Sequence, residues 1–142
     1  MDFTISTIIS LIARIREKAN RFIADELNRH GLEGLAPVHG DVLMALFFHD
    51  KLTMKEIAVI VDRKKSTVTT LVNKLILLGF AEKKQDSMDN RYFHISLTDK
   101  GRGLKNSLVS ISNRLLDKVY KDMPKANKEQ LVKSLKTIHD NW

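Results

Sequence analysis

Apolar residues recur every three or four positions through most of this chain, which is the spacing of an amphipathic helix. They predict a long first helix that ends at Gly31 and a second helix that opens at Pro37, where the fixed φ of proline suits a first helical position. Later in the chain, Thr98 and Asn127 are candidate N-caps of a long helix and a final one. The pattern therefore predicts a mainly helical protein.

Two shorter helical patterns lie in the middle of the chain. Thr53 begins the first pattern, and Glu56 follows three residues later, which is the spacing of a capping box. The first apolar period runs to Val61, and a second runs from Ser66, a candidate N-cap, to Leu78. Because helices joined by so short a link cross steeply, this segment predicts a helix-turn-helix.

The pattern changes from helix to strand after Gly79. Phe80 to Lys84 forms one predicted strand, and Tyr92 to Leu97 alternates polar and apolar residues as its antiparallel partner. The intervening loop, Gln85 to Arg91, is polar, rich in turn formers and too long for a tight hairpin. A helix-turn-helix followed by a two-stranded β-wing is a winged helix-turn-helix.

The second helix of this unit has cationic and small polar side chains opposite its apolar stripe. Such side chains suit phosphates and base edges in a major groove. The candidate DNA-binding residues there are Lys64, Lys65, Ser66, Thr67, Thr69, Thr70, Asn73 and Lys74. The wing adds Lys84 and Arg91, and an arginine in a protruding loop suits a minor groove. We expect Asp89 to hold Arg91 or the wing backbone by a charge-assisted hydrogen bond. Any one of these lysines alone also fits an ordinary solvated helix face.

Taken together, these segments resemble the MarR family of bacterial transcription regulators. The resemblance rests on Asp89-Asn90-Arg91 in the wing, on Leu97-Thr98 before the next helix, and on the helix segment 65–79. It extends over nearly the whole chain and implies a dimeric DNA-binding regulator. One departure lies at the turn, where many helix-turn-helix units have glycine and then an aliphatic residue, and this chain has Asp62 and Arg63. Aspartate tolerates a left-handed conformation, whereas Arg63 leaves either a looser turn or an arginine exposed to phosphate.

Length and charge agree with a single DNA-binding domain. The chain has 142 residues, of which 43% are hydrophobic, and this is enough for one core spanning 1–142. Its net charge of +7 is concentrated in residues 51–105, which hold 12 lysines and arginines against 6 acidic residues. Such a local excess favours double-stranded DNA over a membrane as the partner. The apolar amino terminus lacks the cationic start and cleavage site of a signal peptide, so we expect a cytoplasmic protein.

Both ends of the chain have apolar residues that one subunit would leave exposed. A two-fold dimer built from regions 1–35 and 106–142 would cover them, and it would leave 36–105 as the DNA-binding region. Such a dimer places two recognition helices roughly 34 to 36 Å apart, as a palindromic site requires. The alternative is that these residues fold back on their own core. The candidate dimerisation residues are Ile5, Ile8, Ile9, Ile12, Leu131, Leu135, Ile138 and Trp142. The predicted fold class is therefore mainly α (α+β), a winged helix-turn-helix with flanking N- and C-terminal dimerisation helices.

The sequence contains little that favours catalysis, a cofactor or a metal. There is no cysteine, hence no disulfide, thiolate nucleophile or thiol switch. His30, His39 and His49 lie near the ends of the first two helices, but the long helix after the wing adds no histidine to complete a zinc site. We expect His39 to cap a helix or line a cleft, and His94 to lie on the outward face of a strand. No catalytic motif is present, so we predict a non-enzyme.

The resemblance also implies a small-molecule effector. MarR-like proteins often bind phenolic or other lipophilic anions where the dimerisation helices meet the DNA-binding region, and Arg16 and His39 are the candidate anion partners here. Two other functions remain open on the sequence. One is a winged-helix protein-interaction module that uses Leu77, Phe80 and the wing, and the other is a non-specific architectural DNA binder.

Overall fold

The computed structural model describes residues 2–142 as helices around a small core, with one two-stranded sheet. After a 3-10 turn at Ile5–Thr7, the elements are α1 (Ile8–Arg29), α2 (Pro37–Phe47), α3 (Met54–Val61), α4 (Lys65–Leu77), β1 (Ala81–Gln85), β2 (Phe93–Leu97), α5 (Asp99–Arg102), α6 (Lys105–Val119) and α7 (Lys125–His139). The predicted fold class, mainly helical with a two-stranded wing, is confirmed. None of the helices in the described part of the chain is long and apolar enough to cross a membrane.

The core lies where α2, α3, α4 and β2 meet. Its fully buried side chains come from all four elements: Val42, Leu43, Ile57, Val68, Val72, Leu75 and Ile95. In α4 the buried residues repeat at the helical spacing that the sequence predicts, so the opposite face of the helix is left to solvent. Because α4 packs on α2, α3 and β1, the direction of its exposed face is fixed.

The turn between α3 and α4 is shaped by its capping residues. Thr53 Oγ1 accepts a hydrogen bond from the Glu56 amide at 3.2 Å, and Glu56 Oε2 accepts one from the Thr53 amide at 2.8 Å, as the predicted capping box requires. Asp62 has φ +52° and takes the left-handed conformation that ends α3. The predicted N-cap at Ser66 is wrong, because the carbonyl of Lys64 already accepts from the Val68 amide at 3.0 Å and makes Lys64 the cap.

The wing is an antiparallel hairpin in which Ala81 pairs with Leu97 and Gln85 pairs with Phe93. Leu52 joins its base, since it exchanges two backbone hydrogen bonds with Ile95 at 2.9 and 2.7 Å. Ile95 and Leu97 point into the core, whereas Phe93, predicted for the same face, lies beyond it at the loop end and is exposed. The hairpin is therefore anchored at its base and free at its tip.

Two predicted helix boundaries after the wing are wrong. Thr98 does cap a helix, with its Oγ1 accepting from the Gly101 amide at 3.1 Å, but that helix is only α5, and a break precedes α6. The two glycines of this segment, at 101 and 103, weaken helix propensity there. The final helix starts before Asn127, because the Pro124 carbonyl accepts from the Asn127 and Lys128 amides and acts as the cap.

An ion pair between a buried glutamate and a half-exposed arginine connects α1 to α6. The Glu26 side chain is only 2% exposed, and its Oε2 lies 2.6 Å from Nη1 of Arg114 on α6. Its other oxygen, Oε1, lies 3.4 Å from Nη1 of Arg29. The sequence pattern did not reveal this contact, since residues 26 and 114 are far apart in the chain and only the packing of α1 on α6 brings them together.

Candidate nucleic-acid interface

The outer face of α4 is cationic and open to solvent. Lys64, Lys65, Ser66, Thr67, Thr70, Asn73 and Lys74 are exposed, and Thr69 is half-buried. Within residues 2–142, none of the three lysines on this face forms an ion pair. Their charges are therefore available to an anionic partner, whereas charges already paired within the chain would have to be separated first.

Two threonines of this face have their hydroxyl groups oriented by the helix itself. Thr69 Oγ1 donates to the Lys65 carbonyl at 2.9 Å, and Thr70 Oγ1 donates to the Ser66 carbonyl at 3.2 Å. Because a hydroxyl has one hydrogen, each oxygen is left as an acceptor. In a major groove such acceptors suit the amino groups of adenine or cytosine.

The wing holds its arginine by several hydrogen bonds to one aspartate. Asp89 Oδ1 accepts from the Arg91 amide and from Arg91 Nε, both at 3.0 Å, and Asp89 Oδ2 accepts from Arg91 Nη2 at 2.8 Å. The expected hydrogen bond between the two side chains is thus present, and these contacts lower the pKa of Asp89 and raise that of Arg91. The Arg91 side chain is nevertheless 83% exposed, so the guanidinium is aimed outward while one edge is held.

The remaining wing residues differ from expectation in two ways. Lys84 is paired with Glu82, with 3.1 Å between Nζ and Oε1, so part of its charge is neutralised within the hairpin. His94, expected on an outward face, is only 20% exposed, and its Nε2 lies 2.5 Å from Oδ2 of Asp86 in the wing loop. The Asp86 contact was not predicted, because strand alternation says which side of the sheet a residue occupies and not which loop folds over it.

A cleft of about 500 Å³ lies between α1, α2 and the turn before α4. Arg16 of α1 lines it, together with Asp41 of α2 and Arg63 of the turn. Burial raises the pKa of Asp41, and the charges of Arg63 and Arg16 act in the opposite direction. The sequence left two outcomes for Arg63, a looser turn or an exposed arginine. Arg63 is exposed in the structure, and it lines this cleft.

The cleft does not include His39. The His39 side chain is buried, and its Nδ1 accepts a hydrogen bond from the Ala36 amide at 2.9 Å at the start of α2. His39 therefore caps a helix, one of its two expected roles, and the expectation that it faces a ligand in the cleft is wrong. Burial and then the nearby charge of Lys74 lower the pKa of His39. Among residues 2–142, no three His, Asp or Glu side chains form a group that could hold a metal ion.

The two ends of the chain have large exposed apolar side chains. Every residue of α7 remains at least partly exposed, and Trp142 is 98% exposed. At the other end Ile5 is 96% exposed. Of the other predicted dimerisation residues, Ile8, Ile9, Leu131 and Leu135 are exposed and Ile12 and Ile138 are half-buried. The first 3-10 turn and the last helix thus leave most of their apolar side chains outside the core of their own chain.

A helix-turn-helix with an unpaired cationic face and a β-wing with a fixed arginine define a winged helix-turn-helix fold of the DNA-binding class. Comparison with known proteins identifies the family. The model of the MarR family matches residues 33–91. The chain is 30% identical to the HTH-type transcriptional regulator SarZ of Staphylococcus haemolyticus over 100 residues, which cover 70% of this chain and 67% of SarZ. The chain belongs to the MarR family of transcriptional regulators.

Solved structures agree on the fold. The chain matches BpsR of Bordetella bronchiseptica with a TM-score of 0.84 and 17% identity, over 99% of both chains. It also matches a mutant of E. coli MarR complexed with operator DNA, with a TM-score of 0.82 and 17% identity, over 96% of this chain and 99% of that chain. At such low identity these matches establish a shared architecture and no shared ligand.

Proposed function

We propose that this protein is a homodimeric, sequence-specific DNA-binding regulator that represses transcription from a pseudo-palindromic operator and responds to a small lipophilic or phenolic anion. The observation that carries the proposal is the unpaired cationic face of α4 beside a wing whose arginine is already oriented. Preorganised cationic groups bind DNA with a smaller loss of side-chain freedom than mobile ones do. A regulator of this kind acts where the chromosome is, so we expect it in the cytoplasm.

The proposed contacts divide between base readout and positioning. Lys65, Thr67, Thr69, Thr70 and Asn73 would contact base edges in the major groove, with the two oriented threonines acting as acceptors. Lys64, Ser66 and Lys74 would contact phosphates on either side of the helix, and Arg91 would enter the adjacent minor groove. Lys84 would contribute less than the others, because it already pairs with Glu82.

The homodimer is supported by the apolar side chains at the two ends of the chain. Exposed isoleucine, leucine and tryptophan side chains at both ends of the chain are unfavourable in water and are typical of a subunit interface. In a two-fold dimer the same patch occurs on both subunits, so α7 of one subunit would cover the amino-terminal residues of the other. Leu135→Asp should shift the protein from dimer to monomer in sedimentation, with the exposed Lys133→Asp as the matched control. A dimer that survives Leu135→Asp would contradict this interface.

The effector is supported by the cleft beside the helix-turn-helix. Its volume of about 500 Å³ is suitable for a small aromatic acid, and Arg16 and Arg63 provide two cations for its carboxylate. DNA binding of the structural neighbour BpsR is regulated by 6-hydroxynicotinic acid. Because the cleft joins α1 of the dimerisation region to the turn before α4, a ligand there would couple the two.

Selection of bound sequences from a random DNA pool is the decisive experiment. A palindromic consensus with half-sites one helical turn apart is expected, together with a preference of roughly 10³-fold or more over a random duplex. Equal affinities for both duplexes would instead indicate an architectural binder. Weak binding to every sequence would favour the protein-interaction module, although Phe80, one of its expected contact residues, is buried.

The effector is tested separately, with the selected operator and the wild-type dimer. Simple aromatic carboxylates are titrated against the bound complex, and at least one should release the operator. Arg16→Ala should reduce that release without changing affinity in the absence of the acid, and the exposed Arg14→Ala is the control on the same helix. Equal release from the wild type and Arg16→Ala would contradict the role of the cleft.

A further inference from the structure

The wing loop is folded around one carboxylate. Asp86 Oδ1 accepts hydrogen bonds from the backbone amides of Met88 at 2.7 Å and Asp89 at 3.0 Å. Its second oxygen, Oδ2, lies 2.5 Å from Nε2 of His94. The Asp86 side chain thus connects the backbone of the loop to a side chain of β2, the strand that is anchored at the base of the wing.

The direction of this hydrogen bond follows from the charge of Asp86. The bond from His94, and then those from the Met88 and Asp89 amides, lower the pKa of Asp86 to about 2. The carboxyl is therefore ionised at neutral pH and can only accept, so His94 donates from Nε2. The other ring nitrogen, Nδ1, is buried and has no hydrogen-bond partner among residues 2–142. The His94 ring thus makes its hydrogen bond to Asp86 of the wing loop. Across the sheet, Lys84 is the residue opposite His94.

A second set of hydrogen bonds leads from the Asp86 carboxylate to the arginine. The Asp89 amide is held by Asp86, and the Asp89 carboxylate in turn holds both the backbone and the guanidinium of Arg91. The loop is closed by hydrogen bonds from the Tyr92 amide to the Asp89 carbonyl at 3.1 Å and from the Asp86 amide to the Tyr92 carbonyl at 2.9 Å. The position of the Arg91 guanidinium thus depends on a series of hydrogen bonds that begins at His94 of β2 and passes through Asp86 and Asp89.

We propose that Asp86 and His94 are positioning residues for Arg91: the strand-anchored imidazole fixes Asp86, Asp86 fixes the backbone of the loop, and Asp89 then aims the guanidinium into DNA. The inference rests on the proposed minor-groove contact of Arg91. Neither His94 nor Asp86 needs to touch DNA, since the effect on binding passes entirely through the orientation of Arg91. A wing that is ordered before binding loses less conformational entropy on the operator than a mobile one.

A double-mutant cycle on the selected operator separates positioning from general stabilisation. His94→Leu removes the donor, and His94→Gln keeps a side-chain N–H at a similar reach. Ser96→Ala is the matched control, because Ser96 occupies the same side of β2 two residues further on. Each change is made in the wild type and in Arg91→Ala, and operator affinity is measured by fluorescence anisotropy, with thermal unfolding as the check on the fold.

We expect His94→Leu to weaken operator binding about tenfold, which is the order of one charge-assisted hydrogen bond. His94→Gln should retain most of the affinity, Ser96→Ala should be unchanged, and His94→Leu should have no further effect in the Arg91→Ala background. If His94→Leu does not fold, Asp86→Ala in the same two backgrounds gives the same test from the other partner.

Two results would overturn the inference and leave the proposed function intact. One is an unchanged affinity for His94→Leu when Arg91→Ala is weakened, and the other is an equal loss from His94→Leu with and without Arg91. Unchanged affinity for Arg91→Ala itself would remove the wing contact from the proposed function, and the inference with it. The failures of the two proposals are therefore distinguishable.

Discussion

Arg114→Met tests the ion pair between Arg114 and the buried Glu26, which connects α1 to α6. Removal of one partner from a buried pair commonly costs about 3 to 5 kcal/mol, because the remaining charge is left without compensation. Arg114 itself is 51% exposed, and Arg29 remains 3.4 Å from the Glu26 carboxylate, so the loss is smaller here. We expect a decrease of about 2 kcal/mol in the free energy of unfolding, or roughly 4 to 8 °C in Tm for a chain of this length.

Urea and thermal unfolding at one fixed protein concentration measure this loss, since the stability of the proposed dimer would depend on concentration. Arg21→Met is the matched control. Arg21 pairs with Glu17 at 2.8 Å on the exposed surface of α1, and such pairs contribute about 0.3 to 0.5 kcal/mol. The double variant Glu26→Leu, Arg114→Met should recover most of the stability, because neither charge then remains. Equal losses for Arg114→Met and Arg21→Met would refute the argument from burial.

Three further predictions concern a helix cap, a close backbone contact and base readout. The pKa of His39 is lowered in the folded protein, so as pH falls below about 6.5 this histidine is protonated more readily in the unfolded chain. The Tm of the wild type should therefore fall more steeply with decreasing pH than that of His39→Gln. Parallel curves of Tm against pH would contradict this. A Cβ at Gly101 would lie 1.9 Å from the Phe80 carbonyl oxygen, so Gly101→Ala should destabilise the fold by about 1 to 3 kcal/mol in urea unfolding. Gly103→Ala, with 3.3 Å to its nearest atom, should cost less than Gly101→Ala, and equal losses would contradict the argument. Asn73→Ala should relax preference at one base pair by about 1 to 3 kcal/mol in repeated selection, and a uniform loss over all sequences would instead mark a backbone contact.

Much of the fold could be predicted because its signals are local. The capping box at Thr53, the apolar period of α4 and the alternation of β2 all depend on neighbours within a few residues, and the structure has each of them. The errors fell on helix boundaries and on the loop end of β2, where Phe93 is exposed and His94 is mostly covered. Ser66 and Asn127 have good capping side chains, but the backbone of Lys64 and of Pro124 starts those helices earlier, and a preceding carbonyl in the right geometry outweighs side-chain preference.

The cationic face of α4, the proposed DNA contact, could also be predicted from the sequence, since one face of a helix follows from its period. The cleft and the wing network could not. Arg63, Asp41 and Arg16 come from three different elements, and Asp86 meets His94 only because the loop folds over the strand. The spacing of these residues along the chain does not indicate that their side chains lie close together.

The sequence by itself thus determined the winged helix-turn-helix order, the cationic face of α4 and the pairing of Asp89 with Arg91, since each arises within one element or one loop. Only the tertiary structure decided that His39 is a buried cap and that Glu26 pairs with Arg114. It also decided that the imidazole of His94 donates to Asp86, on which the wing loop is built. The physical reason is that burial and long-range hydrogen bonds depend on which helices and loops pack together, and packing is a property of the whole chain.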